Sequence, residues 1–358
     1  MTVNRRRSRW CGLVLLLLMG VSMVTIPARA ASEGIVVASD FKPHPLMRNR
    51  HLQTIWPSAS GKLAEVSYDR ERVDLPDGDF IDLDWFAGNP QSENLALLLH
   101  GLGGTARSNY IKRVGGELVD RGFRVVAMNL RGASGPNRTT KVYHSGKTDD
   151  LDYIVDYLHN SRNPEVLVIT GFSLGGNVLL KWLGENPGQQ KVSAAAAVSV
   201  PYDLAAVADR LNQGFSSFYR DFLLKNLRRF LRSRQGELDP VIDLAAAYRA
   251  TTFEEYDDIV TAPLSGFDDA ADYYNQSSAK NFLKFIDTPT LLIHARDDPF
   301  TTVDIIPDST QLSQTTTLEV SDRGGHVGFV ERGAGLSAKY YLPERLGGYL
   351  AGFRLPDN

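Results

Sequence analysis

Short apolar runs alternate with amphipathic segments through much of the chain. From Leu95 onwards, runs rich in valine, leucine, isoleucine and alanine are separated by longer segments whose apolar residues recur every three or four positions. The short runs predict buried strands and the longer segments predict helices, which is typical of a parallel sheet covered by helices on both faces. The predicted buried strands are 95–99, 124–129, 166–170, 192–200, 288–294 and 316–320.

Antiparallel strands are expected at the start of this sheet. Strand-forming runs precede the first buried strand, and Pro76-Asp77-Gly78-Asp79 has the composition of a turn. These early strands are predicted at 63–68, 72–75 and 80–86. The helices are predicted at 109–121, 148–160 and 177–185, with a last helix near 336–353.

The alternation of strand and helix stops between residues 202 and 287. This stretch has no convincing buried strand and is rich in phenylalanine and tyrosine, so it predicts a helical cap inserted between two strands. The predicted organisation is an α/β core of residues 63–201 and 288–358, a helical cap at 202–287, and an irregular, proline-rich arm at 31–62.

The first thirty residues have the layout of a secretory signal. Arginines at positions 5, 6, 7 and 9 precede an uncharged run from 10 to 26, and Pro27-Ala28-Arg29-Ala30 has the small residues of a cleavage site. The run is short for a membrane span, which needs about 20 apolar residues. We therefore predict export to a periplasmic or other extracytoplasmic compartment, with cleavage after Ala30. The alternative is a membrane anchor formed by residues 10–26.

The composition and charge of the chain argue against several classes of function. The chain has 358 residues, 43% of them hydrophobic, which suits one large α/β domain with an insertion. Its net charge of −3 gives no electrostatic case for nucleic-acid binding. The single cysteine, Cys11, lies in the predicted signal segment, so a processed chain would have no disulfide, thiol nucleophile or thiolate metal site.

The stretch Gly171-Phe172-Ser173-Leu174-Gly175 lies between a predicted strand and a predicted helix. Strand, Gly-x-Ser-x-Gly and helix in this order are the context of a nucleophile elbow, where a strained turn holds the serine hydroxyl at the edge of the sheet. The two glycines allow neighbouring backbone to pass close to the serine. Ser173 is therefore the predicted nucleophile.

A serine nucleophile needs a base and an acid that orients the base. His326 follows the last predicted strand in a glycine-rich loop, so we predict it as the general base. Asp297 lies three residues beyond the predicted strand end at His294 and is the preferred acid, whereas Asp298 precedes a proline and is expected to shape the turn. Asp203 is a more distant alternative for the acid.

An oxyanion hole is expected beside the serine. His100-Gly101-Leu102-Gly103-Gly104 follows a buried strand, and its glycines would let the backbone N–H of Leu102 face the developing alkoxide. The second donor is predicted to be the N–H of Leu174. His100 is expected to pack the loop rather than take part in chemistry.

Taken together, these motifs resemble the YheT/ABHD-type branch of the α/β-hydrolases, in a pattern that covers about residues 41 to 350. The block Arg48-Asn49-Arg50-His51-Leu52-Gln53-Thr54 is the part most specific to that branch. The other stretches that carry the resemblance are His100–Gly104, Asn129-Leu130-Arg131-Gly132, Tyr143-His144-Ser145-Gly146, Gly171–Asn177, His294–Phe300 and Gly324–Phe329.

The resemblance implies an α/β-hydrolase fold, esterase or lipase-like activity on acyl esters, no cofactor, and a triad of Ser173, Asp297 and His326. No metal site is expected. The expected function is a serine hydrolase that cleaves short- to medium-chain acyl esters through an acyl-serine. An acyltransferase with the same triad is the alternative, and a non-catalytic binding module is less favoured. The expected partner is a small-molecule or lipid ester. No protein partner is inferred.

One segment of the cap suggests two further roles. Phe215, Phe218 and Phe222 are spaced to share a helical face and are predicted to bind acyl chains. The same segment, 211–234, carries six basic residues and one acidic residue, Asp221. A cap helix with a solvated basic face is the preferred interpretation, and contact with an anionic membrane surface is the alternative.

Overall fold

The computed structural model describes residues 1–2, 33–59 and 67–356. Its residues from Glu33 onwards belong to one compact unit. The predicted cleavage site after Ala30, the apolar run 10–26 and most of the predicted strand 63–68 lie outside the described residues. Within the described ranges, no helix has the length and hydropathy needed to cross a bilayer.

A nine-stranded sheet lies at the centre of this unit. Its strands are β1 (Ile35–Ala38), β2 (Tyr68–Asp74), β3 (Phe80–Phe86), β4 (Asn94–Leu99), β5 (Arg124–Asn129), β6 (Val166–Phe172), β7 (Ala194–Val198), β8 (Thr290–Ala295) and β9 (Thr316–Ser321). Their spatial order is β1-β9-β8-β7-β6-β4-β5-β3-β2. Strand β3 pairs antiparallel with β2 and with β5, and all the other neighbouring strands are parallel. The expected parallel sheet with an antiparallel edge is confirmed.

Helices cover the sheet, and further helices form the insertion between β7 and β8. The helices are α1 (Arg50–Ala59), α2 (Asn109–Asp120), α3 (Thr148–Arg162), α4 (Leu174–Glu185), α5 (Leu204–Leu211), α6 (Ser216–Ser233), α7 (Gln235–Leu238), α8 (Leu244–Arg249), α9 (Phe253–Tyr256), α10 (Ala262–Ser265), α11 (Ala270–Ser277) and α12 (Tyr341–Ala351). A π-helical turn at Asp257–Thr261 joins α9 to α10. A short hairpin, β10 (Val330–Arg332) and β11 (Ala338–Tyr340), precedes α12.

Strand residues are buried on both faces of the sheet. In β4, Leu95, Leu97 and Leu99 pack in one apolar cluster, and Ala96 and Leu98 pack in the cluster on the other face. Successive side chains of a strand point to opposite faces, so a strand covered on both sides needs an unbroken apolar run. This requirement explains why the buried strands could be recognised from the sequence.

The prediction of an irregular arm at 31–62 is wrong for residues 33–59, the part of this range that the structure describes. β1 adds to the edge of the sheet in parallel with β9, and α1 follows it. All four residues of β1 are exposed, so this strand lacks the buried run by which the other strands were recognised. The pairing is long-range, Ile35 lying beside Thr317, and local sequence does not indicate it.

The insertion between β7 and β8 contains helices and turns and no strand, and all of it is described. It has an apolar cluster of its own that includes Leu224 and Leu231 of α6 and Tyr256 of α9. We refer to Leu204–Phe285 as the helical insertion.

Candidate active site

Ser173 lies on a tight turn between β6 and α4. Its φ of 52° and ψ of −120° are strained for a residue with a side chain. A Cβ atom on Gly175 would lie 2.5 Å from the carbonyl oxygen of His100, so the close approach of two backbone segments requires glycine there. The structure therefore has the elbow geometry that the Gly-x-Ser-x-Gly pattern predicts.

His326 lies between this serine and a buried carboxylate. The His326 Nε2 is 3.0 Å from the Ser173 Oγ, and the His326 Nδ1 is 2.8 Å from the Asp298 Oδ2. Since the carboxylate can only accept, Nδ1 carries the proton and Nε2 is free to accept the hydrogen of the serine hydroxyl. The structure thus brings a serine, an imidazole and a carboxylate into one hydrogen-bonded chain.

The prediction of Asp297 as the acid is wrong, because Asp298 contacts the imidazole. The expectation placed the acid three residues past a strand ending at His294, but β8 continues to Ala295, so the third residue is Asp298. The Asp298 N–H donates to the carbonyl of Ala295, and the Asp298 Oδ1 accepts the N–H of Phe300. These bonds position Asp298, whose side chain is fully buried.

Asp297 supports the histidine loop. Its Oδ1 accepts the backbone N–H of Gly325 at 3.0 Å. Burial, together with the neighbouring Asp298 charge, raises the pKa of Asp297, although the Gly325 N–H opposes this. Asp203, the more distant alternative, caps α5 by accepting the N–H of Ala206 and pairs with Lys280. Neither carboxylate is hydrogen-bonded to His326 in the structure.

Helix α1 supports the histidine loop from the opposite end of the chain. The Thr54 Oγ1 accepts the backbone N–H of His326 at 3.0 Å. The buried Gln53 amide accepts the N–H of Val330 and donates to its carbonyl. A Cβ on Gly328 would lie 2.0 Å from the carbonyl oxygen of Gln53. Sequence reasoning missed this role, although its signal was present in the branch-specific block around Gln53 and Thr54.

Phe300 covers one face of the imidazole. Its ring stacks on His326 with centroids 4.0 Å apart and an interplanar angle of 14°. The ring of Phe300 also contacts Tyr219 of α6, with the two ring centroids 4.9 Å apart. The stack restricts rotation of the imidazole and links it to the helical insertion.

Hydrogen bonds fix the backbone on both sides of the candidate oxyanion donor Leu102. The N–H groups of Gly101 and Gly103 donate to the hydroxyls of Tyr110 and Tyr143, each at 2.9 Å. Leu102 lies between them, and Leu174 is the first residue of α4. Among the described hydrogen bonds, neither the Leu102 nor the Leu174 N–H has an acceptor, and both residues line the cavity beside Ser173.

His100 has the structural role expected for it. Its Nε2 accepts the N–H of Leu130 at 3.0 Å, so its Nδ1 carries a proton and donates to the carbonyl of Gly101 at 2.8 Å. Burial lowers the pKa of His100 to about 4, and the neutral ring therefore persists at neutral pH.

A cavity of about 390 Å³ opens at Ser173 and His326 and extends beneath the helical insertion. Most of its walls are apolar or aromatic, and the insertion supplies many of them. The main apolar wall residues are Leu102, Leu204, Val207, Leu211, Leu223, Leu227, Phe230, Phe253, Val260 and Phe300. Such a cavity fits an acyl chain better than a charged or strongly polar group.

The prediction that Phe215, Phe218 and Phe222 bind acyl chains is wrong. These three residues share an outward face and are 54%, 55% and 57% exposed. The cavity side of α6 carries Leu223 and Leu227 instead. The spacing showed that the three rings lie together, but helical periodicity alone cannot determine which face of a helix meets a cavity.

One carboxylate lies in the wall of this apolar cavity. Asp257, in the π-helical turn, accepts hydrogen bonds from Thr261 and, at 2.8 Å, from the Tyr274 hydroxyl. Burial raises the pKa of Asp257 to about 6, and the two hydrogen bonds limit the shift. The cavity therefore combines apolar walls with a polar group in the helical insertion.

Comparisons with known proteins agree with this fold. Residues 95–333 match the family model described as the alpha/beta hydrolase fold. YheT of Escherichia coli (strain K12) is 36% identical over 320 residues, covering 87% of this chain and 93% of YheT. Phospholipase ABHD3 of Mus musculus is 29% identical, covering 74% of this chain and 67% of that protein.

Monoacylglycerol lipase of Saccharomyces cerevisiae is 30% identical, covering 67% of this chain and 56% of the lipase. The solved structure of the Pyrococcus furiosus esterase Pf2001 superposes with a TM-score of 0.53 at 17% identity, covering 90% of this chain and 97% of that one, and shows a shared fold. The family match, the relative at 36% identity and the shared fold lead to one conclusion: this chain belongs to the α/β-hydrolase family, in the branch of YheT and the ABHD3 phospholipases.

Proposed function

We propose that this chain is a serine hydrolase that cleaves short- to medium-chain carboxylic esters, including acylglycerols, through an acyl-serine intermediate. The hydrogen-bonded chain Asp298–His326–Ser173, with distances of 2.8 and 3.0 Å, is the observation that carries this proposal. The names of the relatives, a phospholipase and a monoacylglycerol lipase, support an acyl ester as the substrate class.

In the first step, Ser173 attacks the ester carbonyl while the His326 Nε2 accepts the hydroxyl proton. Asp298 holds the Nδ1–H tautomer and stabilises the imidazolium that forms. The N–H groups of Leu102 and Leu174 stabilise the oxyanion, and the N-terminal end of α4 adds a favourable dipole. The imidazolium then protonates the leaving alcohol, which gives the acyl-serine.

In the second step, the roles repeat with water as the nucleophile. The His326 Nε2 removes a proton from water, and the hydroxide attacks the acyl-serine carbonyl. Collapse of the tetrahedral intermediate releases the carboxylic acid and returns the proton to the Ser173 Oγ. The acyl chain occupies the apolar cavity under the insertion throughout.

Replacement of the nucleophile tests the chemistry. We expect Ser173→Ala to lower kcat for p-nitrophenyl butyrate by about 10⁵-fold to 10⁶-fold with an unchanged melting temperature. A fluorophosphonate probe should label Ser173 in the unaltered chain and should not label the variant. Labelling of another serine, or full esterase activity in Ser173→Ala, would refute the proposal.

A cavity-filling substitution tests the assignment of the acyl site. Leu227→Trp adds volume to the apolar wall and should lower kcat/KM for octanoate esters by about tenfold to a hundredfold, with little change for acetate esters. Phe222→Trp, on the exposed face of the same helix, is the matched control and should change neither value. An equal loss across acetate, butyrate, octanoate and dodecanoate esters would contradict this assignment.

A further inference from the structure

The outward face of α6 carries exposed aromatic rings followed by exposed cations. Phe218, Phe222, Lys225, Arg229 and Arg232 recur at intervals of three or four residues, so they form one stripe along the helix. Phe215, directly before the helix, packs against Phe218 with ring centroids 5.6 Å apart. The stripe is positively charged, because it contains three cations and the neighbouring Asp221 is paired with Arg220.

Helix α1 extends the apolar part of this face. His51 of α1 contacts Phe215 with ring centroids 4.3 Å apart, and its Nδ1 is 3.0 Å from the Tyr219 hydroxyl. Ile55 lies one helical turn after His51 on the same side of α1, whereas Leu52 and Trp56 lie further round the helix. Leu52, Ile55 and Trp56 are all exposed. We refer to Ile55, Phe215 and the stripe of α6 as the interfacial surface.

The other basic side chains of this segment have partners inside the protein. Arg234 is buried and pairs with Glu237 and Asn137, and Arg228 donates to the carbonyl of Ala250. No ion pair is found for Lys225, Arg229 or Arg232 among the described residues, and Arg232 lies over the ring of Tyr248. The outward cations are therefore available for anions in solution, whereas the buried ones stabilise the insertion.

The interfacial surface adjoins the mouth of the active-site cavity. Arg229 belongs both to the stripe and to the cavity wall, where Asn226 and Gly103 accompany it. On the opposite side of the same helix, Leu223 and Leu227 line the cavity. An ester that leaves a lipid layer under α6 would reach the cavity without crossing open water.

We propose that the interfacial surface binds an anionic lipid layer, with the phenylalanines and Ile55 inserted at the headgroup level and Lys225, Arg229 and Arg232 facing lipid phosphates. Exposed aromatic residues beside cations match such a layer in polarity and charge. Aromatic residues and arginine are also enriched at protein–protein interfaces, but lysine is depleted there, and Lys225 lies in the middle of the stripe. The proposal of lipid binding depends on this surface alone, whereas delivery of a lipid ester to Ser173 also depends on the proposed function.

Vesicle co-sedimentation tests binding without requiring catalysis. The chain from Ala31 contains the whole compact unit Glu33–Asn358 and is the form to use. Vesicles of phosphatidylcholine alone are compared with vesicles that also contain phosphatidylglycerol. The variants are Phe215→Ser/Phe218→Ser/Phe222→Ser and Lys225→Gln/Arg232→Gln. The matched controls are Phe285→Ser and Lys284→Gln, which change equally exposed residues outside the interfacial surface.

We expect the unaltered chain to bind the anionic vesicles more strongly than the neutral ones. The phenylalanine variant should weaken binding about tenfold or more, and the charge variant should weaken it roughly tenfold on anionic vesicles only. The control variants and Ser173→Ala should bind like the unaltered chain. All surface variants should retain their melting temperature and their activity on soluble p-nitrophenyl butyrate.

Three results would overturn this inference: no preference for anionic vesicles, equal binding by the surface variants, or a dimer that the phenylalanine substitutions convert to a monomer. The last result would assign the surface to a second copy of the chain. If vesicle binding follows the expectation while the unaltered chain hydrolyses no ester, the interfacial surface stands and the proposed hydrolase function fails.

Discussion

At the scale of single residues, the site depends on which of two adjacent carboxylates contacts His326. Asp298 is fully buried and bonded to the imidazole, whereas Asp297 bonds to the backbone of the histidine loop. Both carboxylates accept hydrogen bonds, so the presence of a hydrogen bond does not by itself separate their roles. The difference is geometric: one carboxylate can select a tautomer of the imidazole, and the other can only position the loop.

Substitution of each aspartate should separate these roles. Asp298→Asn should lower kcat by about 10⁴-fold, because an amide N–H facing Nδ1 favours the wrong imidazole tautomer. Asp297→Asn should have a much smaller effect on kcat, because its Oδ1 can still accept the N–H of Gly325. Steady-state kinetics with p-nitrophenyl butyrate measure both effects. The reverse ranking would return the acid role to Asp297.

At the scale of elements, the site is assembled from segments that are distant in the chain. The hydrogen bond from the His326 N–H to Thr54 joins residues 272 positions apart. Helix α1 thereby supports the loop that carries the base, while β6 and α4 hold the nucleophile and β8 precedes the acid. The helical insertion adds the cavity wall and, through Tyr219 and Phe300, contacts the imidazole.

Removal of the Thr54 acceptor tests the support given by α1. Thr54→Val keeps the shape of the side chain but leaves the His326 N–H without its acceptor, so the imidazole should shift. We expect a fall in kcat of about tenfold to a hundredfold with little change in KM, since small misplacements of a reacting group have effects of this size.

The conservative variant Thr54→Ser keeps the hydroxyl and should restore kcat. Thermal unfolding of all three proteins shows whether the fold is retained. A serine variant that is impaired as much as the valine variant would argue that packing, and not the hydrogen bond, is what matters at this position.

At the scale of the whole molecule, a buried ion-pair network joins the antiparallel edge to the parallel sheet. Arg131, after β5, is almost fully buried and bonds to Asp79 in the turn before β3 and to Asp150 in α3. Although burial alone would raise it, hydrogen bonds from Thr139, Asn137 and Arg131 hold the pKa of Asp79 well below its usual range.

Loss of this network should destabilise the entire compact unit. Arg131→Met leaves buried carboxylates without their cation and should lower the free energy of unfolding by about 3–5 kcal/mol, measured by urea denaturation. Arg138→Met is the matched control: its partner Asp74 is exposed, so the loss should be about 0–1 kcal/mol. Equal effects of the two substitutions would contradict a structural role for the buried network.

The pH dependence of this stability has a defined sign. Because the folded-state pKa of Asp79 lies below its unfolded value of 3.8, its contribution is present above pH 3.8 and is lost as acid protonates the carboxylate. The difference in unfolding free energy between the unaltered chain and Arg131→Met should therefore shrink as the pH falls below about 4.

The sequence by itself determined the features that depend only on short stretches of the chain. The buried strands were recognisable because burial on both faces demands unbroken apolar runs, and the bounds of β3 and β5 were predicted to the residue. The nucleophile turn was recognisable because only glycine allows the close backbone approaches around Ser173. His326 could be selected because it alone among the histidines follows the last predicted strand.

Only the tertiary structure decided the features that depend on distant contacts or on a shift of one residue. A strand that ends at Ala295 instead of His294 exchanges the roles of Asp297 and Asp298. The pairing of β1 with β9 and the support of His326 by Thr54 join opposite ends of the chain. The face of α6 that meets the cavity is set by how the insertion packs, because a helix carries side chains on every side and its neighbours select the face that is buried.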